Sequence, residues 1–186
     1  MNFEFSDEQL IMKEEVRKLL DKENSVKRNR TILEGEESFD RELWDSLVSM
    51  GLTAITIPEE FGGIGMGYLE LCVVAEELGR AIAPVPFSSS VYLATTLILD
   101  HADNDIKKSY LPKLASGELI GTLAHSEKSS HPTQESIDTS FKDGTISGIK
   151  TVVPDGDIAN FAICLLYTSD AADDSLRVDL GGRRII

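Results

Sequence analysis

Side chains able to do chemistry are sparse in this chain, and few share a useful spacing. Ala124-His125-Ser126-Glu127 ends an apolar run with a hydroxyl that can donate or accept, beside a carboxylate. As residues alone they read equally well as the polar end of a strand. Glu76 and Glu77 stand side by side in an apolar stretch, which makes them surface or packing residues of a helix by default. His101, His125 and His131 have no metal-ligand spacing with one another or with Cys72 and Cys164, so no metal site is expected. The two cysteines make no disulfide framework. Cys72, in an apolar helical stretch, reads as a small buried hydrophobe, and a reducing cytoplasm is the expected compartment. Gly63, Gly65 and Gly67 keep no G-x-G-x-x-G order and have no βαβ unit around them, so they predict a tight turn between helices rather than a dinucleotide site.

Charge narrows the partners. Lys and Arg number 18 against 32 Asp and Glu, a net charge of −14. That argues against nucleic acid or an anionic membrane as the main partner, because counterion release needs clustered cations. The one basic cluster, Lys27-Arg28-Asn29-Arg30, reads as a solvated loop or helix end. No apolar run approaches the roughly 20 residues that cross a bilayer, and Met1-Asn2-Phe3-Glu4-Phe5 lacks the order of a signal peptide. A hydrophobic fraction of 41% suffices for a core.

The elements that would position these residues fall into two kinds. Ser6-Asp7-Glu8-Gln9 is a capping box opening a helix with Leu10, Val16, Leu19 and Leu20 on one face. Asp40 caps another, with Leu43, Trp44, Leu47 and Val48 inward and Gly51 as its stop. Leu52 to Ile57 is a short apolar stretch halted at Pro58. A helix from about Tyr68 to Gly79 is apolar on nearly all sides apart from Glu70, Glu76 and Glu77, as expected of a helix buried among neighbours. Ala83-Pro84-Val85-Pro86-Phe87 breaks it, Ser88-Ser89-Ser90 can cap a further helix to about Leu99, and Asp103-Asn104-Asp105 precedes the last, with Tyr110, Leu111 and Leu114 inward and Gly117 at its end. After Gly117 the period changes. Leu119 to Ala124, Ile137 to Phe141, Thr145 to Ile149 and Thr151 to Val153 read as short strands, with Lys142-Asp143-Gly144 as a hairpin turn.

Four segments in this order carry a resemblance. Phe5-Ser6-Asp7-Glu8-Gln9, then Gly51-Leu52 through Ile57-Pro58-Glu59-Glu60-Phe61-Gly62-Gly63-Ile64-Gly65, then Glu76-Glu77-Leu78-Gly79-Arg80, then Tyr110-Leu111-Pro112-Lys113-Leu114-Ala115-Ser116-Gly117-Glu118 resemble the acyl-CoA dehydrogenase family over residues 1 to about 163. Ala83 to Phe87 is similar to a branch whose members often handle bulky or unusual acyl chains, some as paired unlike subunits. The resemblance implies an α+β fold: an up-down helical domain over 1–117, then at 118–163 the truncated start of an antiparallel β-barrel-like middle domain. It also implies FAD as cofactor and an acyl-CoA thioester as substrate. A carboxylate base takes the α-proton while flavin N5 accepts the β-hydride, with electron-transfer flavoprotein as the acceptor. Oligomers of like or unlike subunits are expected at full length.

Site residues follow from that resemblance. The family's middle domain carries Ala-x-Thr-Glu-Pro, whose hydroxyl contacts the flavin; here Ala124-His125-Ser126-Glu127 stands there, with Lys128 in place of proline. A second motif, Gly-x-Lys-x-Trp-Ile-Thr-Asn-Gly, is matched by Gly148-Ile149-Lys150-Thr151-Val152-Val153-Pro154-Asp155-Gly156. Val152 replaces the aromatic and Pro154 the threonine, and proline has neither hydroxyl nor amide hydrogen to offer N5. Ser126, Glu127, Val152 and Pro154 are therefore the expected cofactor-contact positions. The usual Gly-Ser-Asp is missing near Ser130-His131-Pro132-Thr133, so no CoA-phosphate contact is assigned. The family's base comes from a C-terminal helical bundle, so no catalytic residue is named in this chain, which is expected to be inactive.

From Cys164 the character changes. Cys164-Leu165-Leu166-Tyr167-Thr168-Ser169-Asp170-Ala171-Ala172-Asp173 resembles the translated transposon end of a short-read sequencing adapter, and Val178 to Ile186 its far end, with a variable gap between. Residues 164–186 are accordingly expected to be foreign to the fold and carry no functional inference. Two other readings stay open: a non-catalytic partner subunit of a paired dehydrogenase, suggested by Val152 and Pro154, and a helical interaction module without a cofactor, which predicts no strands after Gly117.

Overall fold

The capping box at Ser6 forms as its sequence requires: Gln9 N donates to Ser6 Oγ at 3.2 Å and Ser6 N donates to Gln9 Oε1 at 3.0 Å. It opens α1, Asp7–Glu23, in a computed structural model that describes residues 5–128, 137–142, 144–168 and 178–179. The chain divides into two compact units, residues 1–86 with 111–118 and residues 87–110 with 119–186.

In the first unit α1 packs on α4, Tyr68–Ala81. Between them in the chain come α2, Val26–Glu34, and α3, Arg41–Ser49. The basic cluster read as a loop or helix end lies inside α2, whose N-cap Ser25 accepts from Arg28 N. Its helicity was hidden because α2 buries none of its residues and leaves Val26 and Leu33 exposed. Polar groups hold it instead: Asn29 Nδ2 donates to the Ala81 and Ile82 carbonyls, and Arg28 bridges Asp40 and Glu42. Asp40 both caps α3, accepting from Leu43 N at 3.0 Å, and takes that arginine, which holds its carboxyl below the usual range. Leu43, Trp44 and Leu47 are buried as their spacing predicts.

Leu52 to Ile57 folds as a short 3₁₀ turn, Leu52–Ala54, followed by buried Ile55 and Ile57. The helix α4 departs from its expected all-round burial. Leu71, Val73, Val74 and Leu78 face inward, while Tyr68, Leu69 and Cys72 are exposed. Cys72 is thus no buried hydrophobe: it lies on the helix face turned away from the core.

Ser88-Ser89-Ser90 also sit otherwise than their sequence implies. They do not cap a helix but lie within it, in the π-helical segment Ser88–Thr95 that runs on into α5, Thr96–His101. Thr95 Oγ1 bonds the Ser90 carbonyl at 2.8 Å, the wide spacing of that winding. The last helix, α6, Asn104–Ala115, begins at Asp103, whose carboxylate accepts from Ile106 N.

Strands follow, as an α+β chain requires and a purely helical module does not. β1 is Gly121–Ala124, β2 Ser140–Lys142, β3 Thr145–Ser147, β4 Phe161–Cys164, β5 Tyr167–Thr168 and β6 Val178–Asp179. One sheet has the order β1-β4-β6 and the other β3-β2-β5. The β2–β3 hairpin is antiparallel with Lys142 opposite Thr145; its turn residue Asp143 lies outside the described residues. β1 and β4 pair in parallel, Gly121 opposite Phe161, which their long connection permits. Thr151 to Val153 forms no strand. Val152 takes a left-handed φ of 54°, which breaks any extended run there.

Candidate functional site

The strand end and the 148–156 loop meet in the second unit. β1 is fixed by its parallel ladder to β4, and by Asn160, which accepts from Ile120 N and donates its own amide to the Ile120 carbonyl. The chain leaves β1 at Ala124, turning His125 outward, Ser126 halfway in and Glu127 fully in. Thr151 ties the loop to this end: its amide donates to the Ser126 carbonyl at 2.9 Å and its hydroxyl to the Glu127 carbonyl at 2.6 Å.

Glu127 is spent on structure. Its Oε1 accepts from Lys150 Nζ at 2.7 Å and Thr139 N at 3.0 Å, and its Oε2 from Asp138 N at 2.7 Å. Burial pushes this carboxyl up, but Lys150, Thr139 and the two amides outweigh it and hold it at about 2. It stays ionised, with both oxygens committed to bonds inside the protein.

The loop beyond is pinned from both sides. Thr122 Oγ1 donates to the Pro154 carbonyl, and Ser89 Oγ to Asp155 Oδ2, both at 2.5 Å. Between Thr151 and these anchors Val152 is left 92% exposed with its left-handed backbone, and Asp155 is left-handed as well, at φ 51°. The four expected positions therefore come together as backbone, but their side chains diverge. Glu127 points inward and is consumed, Val152 stands in solvent, and the Pro154 carbonyl is taken. Of these four residues, Ser126 is the one with a side-chain hydroxyl, and that hydroxyl has no hydrogen-bond partner among the described residues. Lys150, Thr151, Thr122, Ser89 and Asp155 shape this site without having been singled out. Of these, Lys150, Thr151 and Asp155 carry a visible signal, their place in the Gly148 to Gly156 stretch.

Other candidates resolve into packing. Glu77 lies fully buried between two cations: Arg17 donates to both its oxygens at 2.6 and 2.9 Å, and Arg80 Nε to Oε2 at 2.8 Å. Arg17 first, then Arg80, overcome the cost of burial and hold its carboxyl at about 2. Glu76 pairs with Lys13. In the glycine loop the amides of Gly63, Ile64, Gly65 and Met66 all bond carbonyls of Ala54 to Pro58, leaving none to cradle a phosphate. A Cβ on Gly63 would collide with the Ile57 carbonyl, so this glycine serves close backbone approach. Among the described residues no group of three His, Cys, Asp or Glu could hold a metal, and no helix is long and apolar enough to cross a membrane. Ser130 to Thr133 lies outside the described residues.

Residues 6–118 match the acyl-CoA dehydrogenase N-terminal domain. The chain belongs to the acyl-CoA dehydrogenase family. It is 37% identical over 124 residues to isovaleryl-CoA dehydrogenase, mitochondrial, of Pongo abelii, covering 66% of this chain and 29% of that protein. It is 36% identical over 147 residues to 2-methylacyl-CoA dehydrogenase, mitochondrial, of Solanum tuberosum, covering 73% of this chain and 35% of that one. Among solved structures it resembles the ChsE4-ChsE5 complex of Mycobacterium tuberculosis, with 26% identity and a TM-score of 0.80 over 96% of this chain and 48% of that one. The matched region thus spans about a third of these acyl-CoA dehydrogenase relatives and about half of the structural one. The domain match ends at Glu118, before β1, whereas the structural likeness extends over the strand end.

Proposed function

We propose that this chain is the amino-terminal part of an FAD-dependent acyl-CoA dehydrogenase, its helical domain over 1–117 followed by the start of the β domain over 118–163. Family membership of residues 6–118, joined in the chain to a strand end whose Ser126 hydroxyl has no partner among the described residues, carries the reading. FAD would supply the hydride acceptor for α,β-dehydrogenation of an acyl-CoA thioester. Ser126 fits it, with a half-buried hydroxyl able to donate or accept and no partner for it among the described residues. Glu127 fits only as support, because its carboxylate is fully bonded within the protein. Val152 and Pro154 do not fit: one offers no ring and the other no hydroxyl or N–H.

No described carboxylate at the strand end is free to take an α-proton, which supports placing the base in a part of the protein beyond this chain. The purified 186-residue chain is expected to show no turnover of any acyl-CoA with an electron acceptor. Sustained turnover would overturn this. Electron-transfer flavoprotein as acceptor, oligomer formation and a reducing, cytoplasmic setting complete the proposal; the exposed, unpaired Cys72 thiol suits such a setting. Residues 164–186 are proposed to be foreign, and resequencing the gene past codon 163 from unfragmented DNA decides that.

Val152 and Pro154 favour a second reading, a subunit that binds no flavin and pairs with an unlike catalytic one. The similarity to a complex of two differently named chains supports it. Expressing the full gene alone and recording the flavin absorbance of the purified protein separates the two: a yellow protein supports the first, a colourless one the second.

A further inference from the structure

Lys150 makes an unusual set of bonds. With Glu127 it forms an ion pair of 2.7 Å in which the two side chains are 5% and 6% exposed. A lysine so deeply placed is rare without a partner, and a buried pair adds little stability over apolar residues of the same size. Specification of geometry is the better-attested use of such a pair.

The geometry it specifies is that of Ser126. Three consecutive carbonyls are each taken by residues 150 and 151: His125 O accepts from Lys150 Nζ at 3.3 Å, Ser126 O from Thr151 N and Glu127 O from Thr151 Oγ1. The Glu127 carboxylate in turn gathers the Asp138 and Thr139 amides. Gly148 approaches Thr139 so closely that a Cβ there would stand 2.6 Å from the Thr139 Cα. The segments 125–127, 138–139 and 148–151 are thereby clasped; the Ser126 hydroxyl has no hydrogen-bond partner among the described residues and is half-buried, whereas the Thr139 hydroxyl, also without one, is fully buried.

We propose that Lys150 is a positioning residue, fixing the Ser126 hydroxyl at the end of β1, through Glu127 and with Thr151, for a ligand Lys150 does not touch. The inference rests on the flavin reading above for the identity of that ligand, but not for the clasp itself. Misplacement of a contact group by an ångström is enough to cost binding or rate heavily.

The test uses the 186-residue chain as wild type, Lys150→Met, Lys150→Arg and the double variant Glu127→Gln/Lys150→Met. It reads amide hydrogen exchange at Asp138, Thr139 and Thr151 and titrates FAD by its fluorescence. Lys150→Met is expected to speed exchange at all three amides and weaken FAD at least ~10-fold, while amides of Leu43 to Leu47 are unchanged. Lys150→Arg restores both. The double variant removes the unpaired buried charge and keeps one acceptor oxygen for the Asp138 or Thr139 amide. It therefore folds even where the single variant does not, and still binds FAD weakly. FAD binding at wild-type strength in a folded Lys150→Met or double variant overturns the proposal. If the wild-type chain binds no FAD, the flavin reading is left to the full-length test above and exchange decides the clasp: unchanged rates in Lys150→Met overturn it, and faster rates restored by Lys150→Arg sustain it.

Discussion

Glu77 in the first unit and Glu127 in the second are both buried carboxylates held at about 2, but by different kinds of partner. Glu77 is neutralised by side chains of regular helices. Arg17 and Arg80 reach it while 46% and 40% exposed, so the cations keep much of their hydration. Their bonds belong to a ladder along the α1–α4 seam: Gln9 with Glu70, Lys13 with Glu76, Arg17 with Glu77 and Asp21 with Arg80. Both members of each rung advance along their helices in the same sense, so the two helices run parallel. Glu127 is held by one buried lysine and by amides of segments without regular structure. The first arrangement locks two rods together; the second fixes a strand end and a loop. Carboxylates held similarly low can therefore be neutralised by half-exposed cations along a helix seam or by a buried lysine and backbone amides at a strand end.

Removing the cation should break the comparison most sharply. Lys150→Met strands a buried charge and is expected to cost about 3–5 kcal/mol, the range for such losses, measured by denaturant unfolding followed through exchange in β1 and β4. Arg17→Ala should cost clearly less, because Arg80 still faces Glu77 and water can reach the site. Equal losses in the two variants would remove the distinction.

Acid tests both glutamates together. Each folded value lies below the ordinary 4.5, so in acid the unfolded chain binds more protons and folding loses stability as pH falls. Their contribution is complete above about pH 5 and drains away toward pH 2. Glu77→Gln should flatten the pH dependence of exchange in α1 and α4, and Glu127→Gln that at Asp138 and Thr139. A Glu77→Gln variant that follows the wild-type acid curve in α1 and α4 would mean that Glu77 is not what titrates there.

How far these features could be read in advance follows the same division. The Ser6 capping box and the Asp40 cap are local, each set by residues three apart, and both form as the sequence implies. The α1 residues 9, 13, 17 and 21 already carry the four-residue spacing of the ladder, yet nothing local says which helix they face. The helix α2 escaped because it is held by Asn29 and Arg28 rather than by an apolar stripe. The clasp escaped for a stronger reason: Lys150 and Glu127 lie far apart in sequence, and burial of both depends on how β1 and the loop meet. Thr151-Val152-Val153 reads as a strand because β-branched residues favour strands, a preference overridden by the bonds of Thr151, Pro154 and Asp155.

The smallest expected effect lies in that loop and has the opposite sign. Val152 holds a left-handed φ of 54° with its side chain in solvent, so its side chain gains little packing to offset the strain. A left-handed L-residue costs roughly 1–2 kcal/mol, and a β-branched one has no side-chain hydrogen bond to lessen it. Glycine relieves that strain but costs about 0.5–1 kcal/mol in added freedom of the unfolded chain. Val152→Gly should therefore stabilise the second unit by about 0.5–1 kcal/mol, seen as a raised unfolding midpoint and slower exchange at Thr151. Exposed apolar surface goes at the same time, so solubility should not fall. A lowered midpoint would mean that the valine makes contacts holding the loop, and the contrast drawn between the strained tip and its clasped base would be lost.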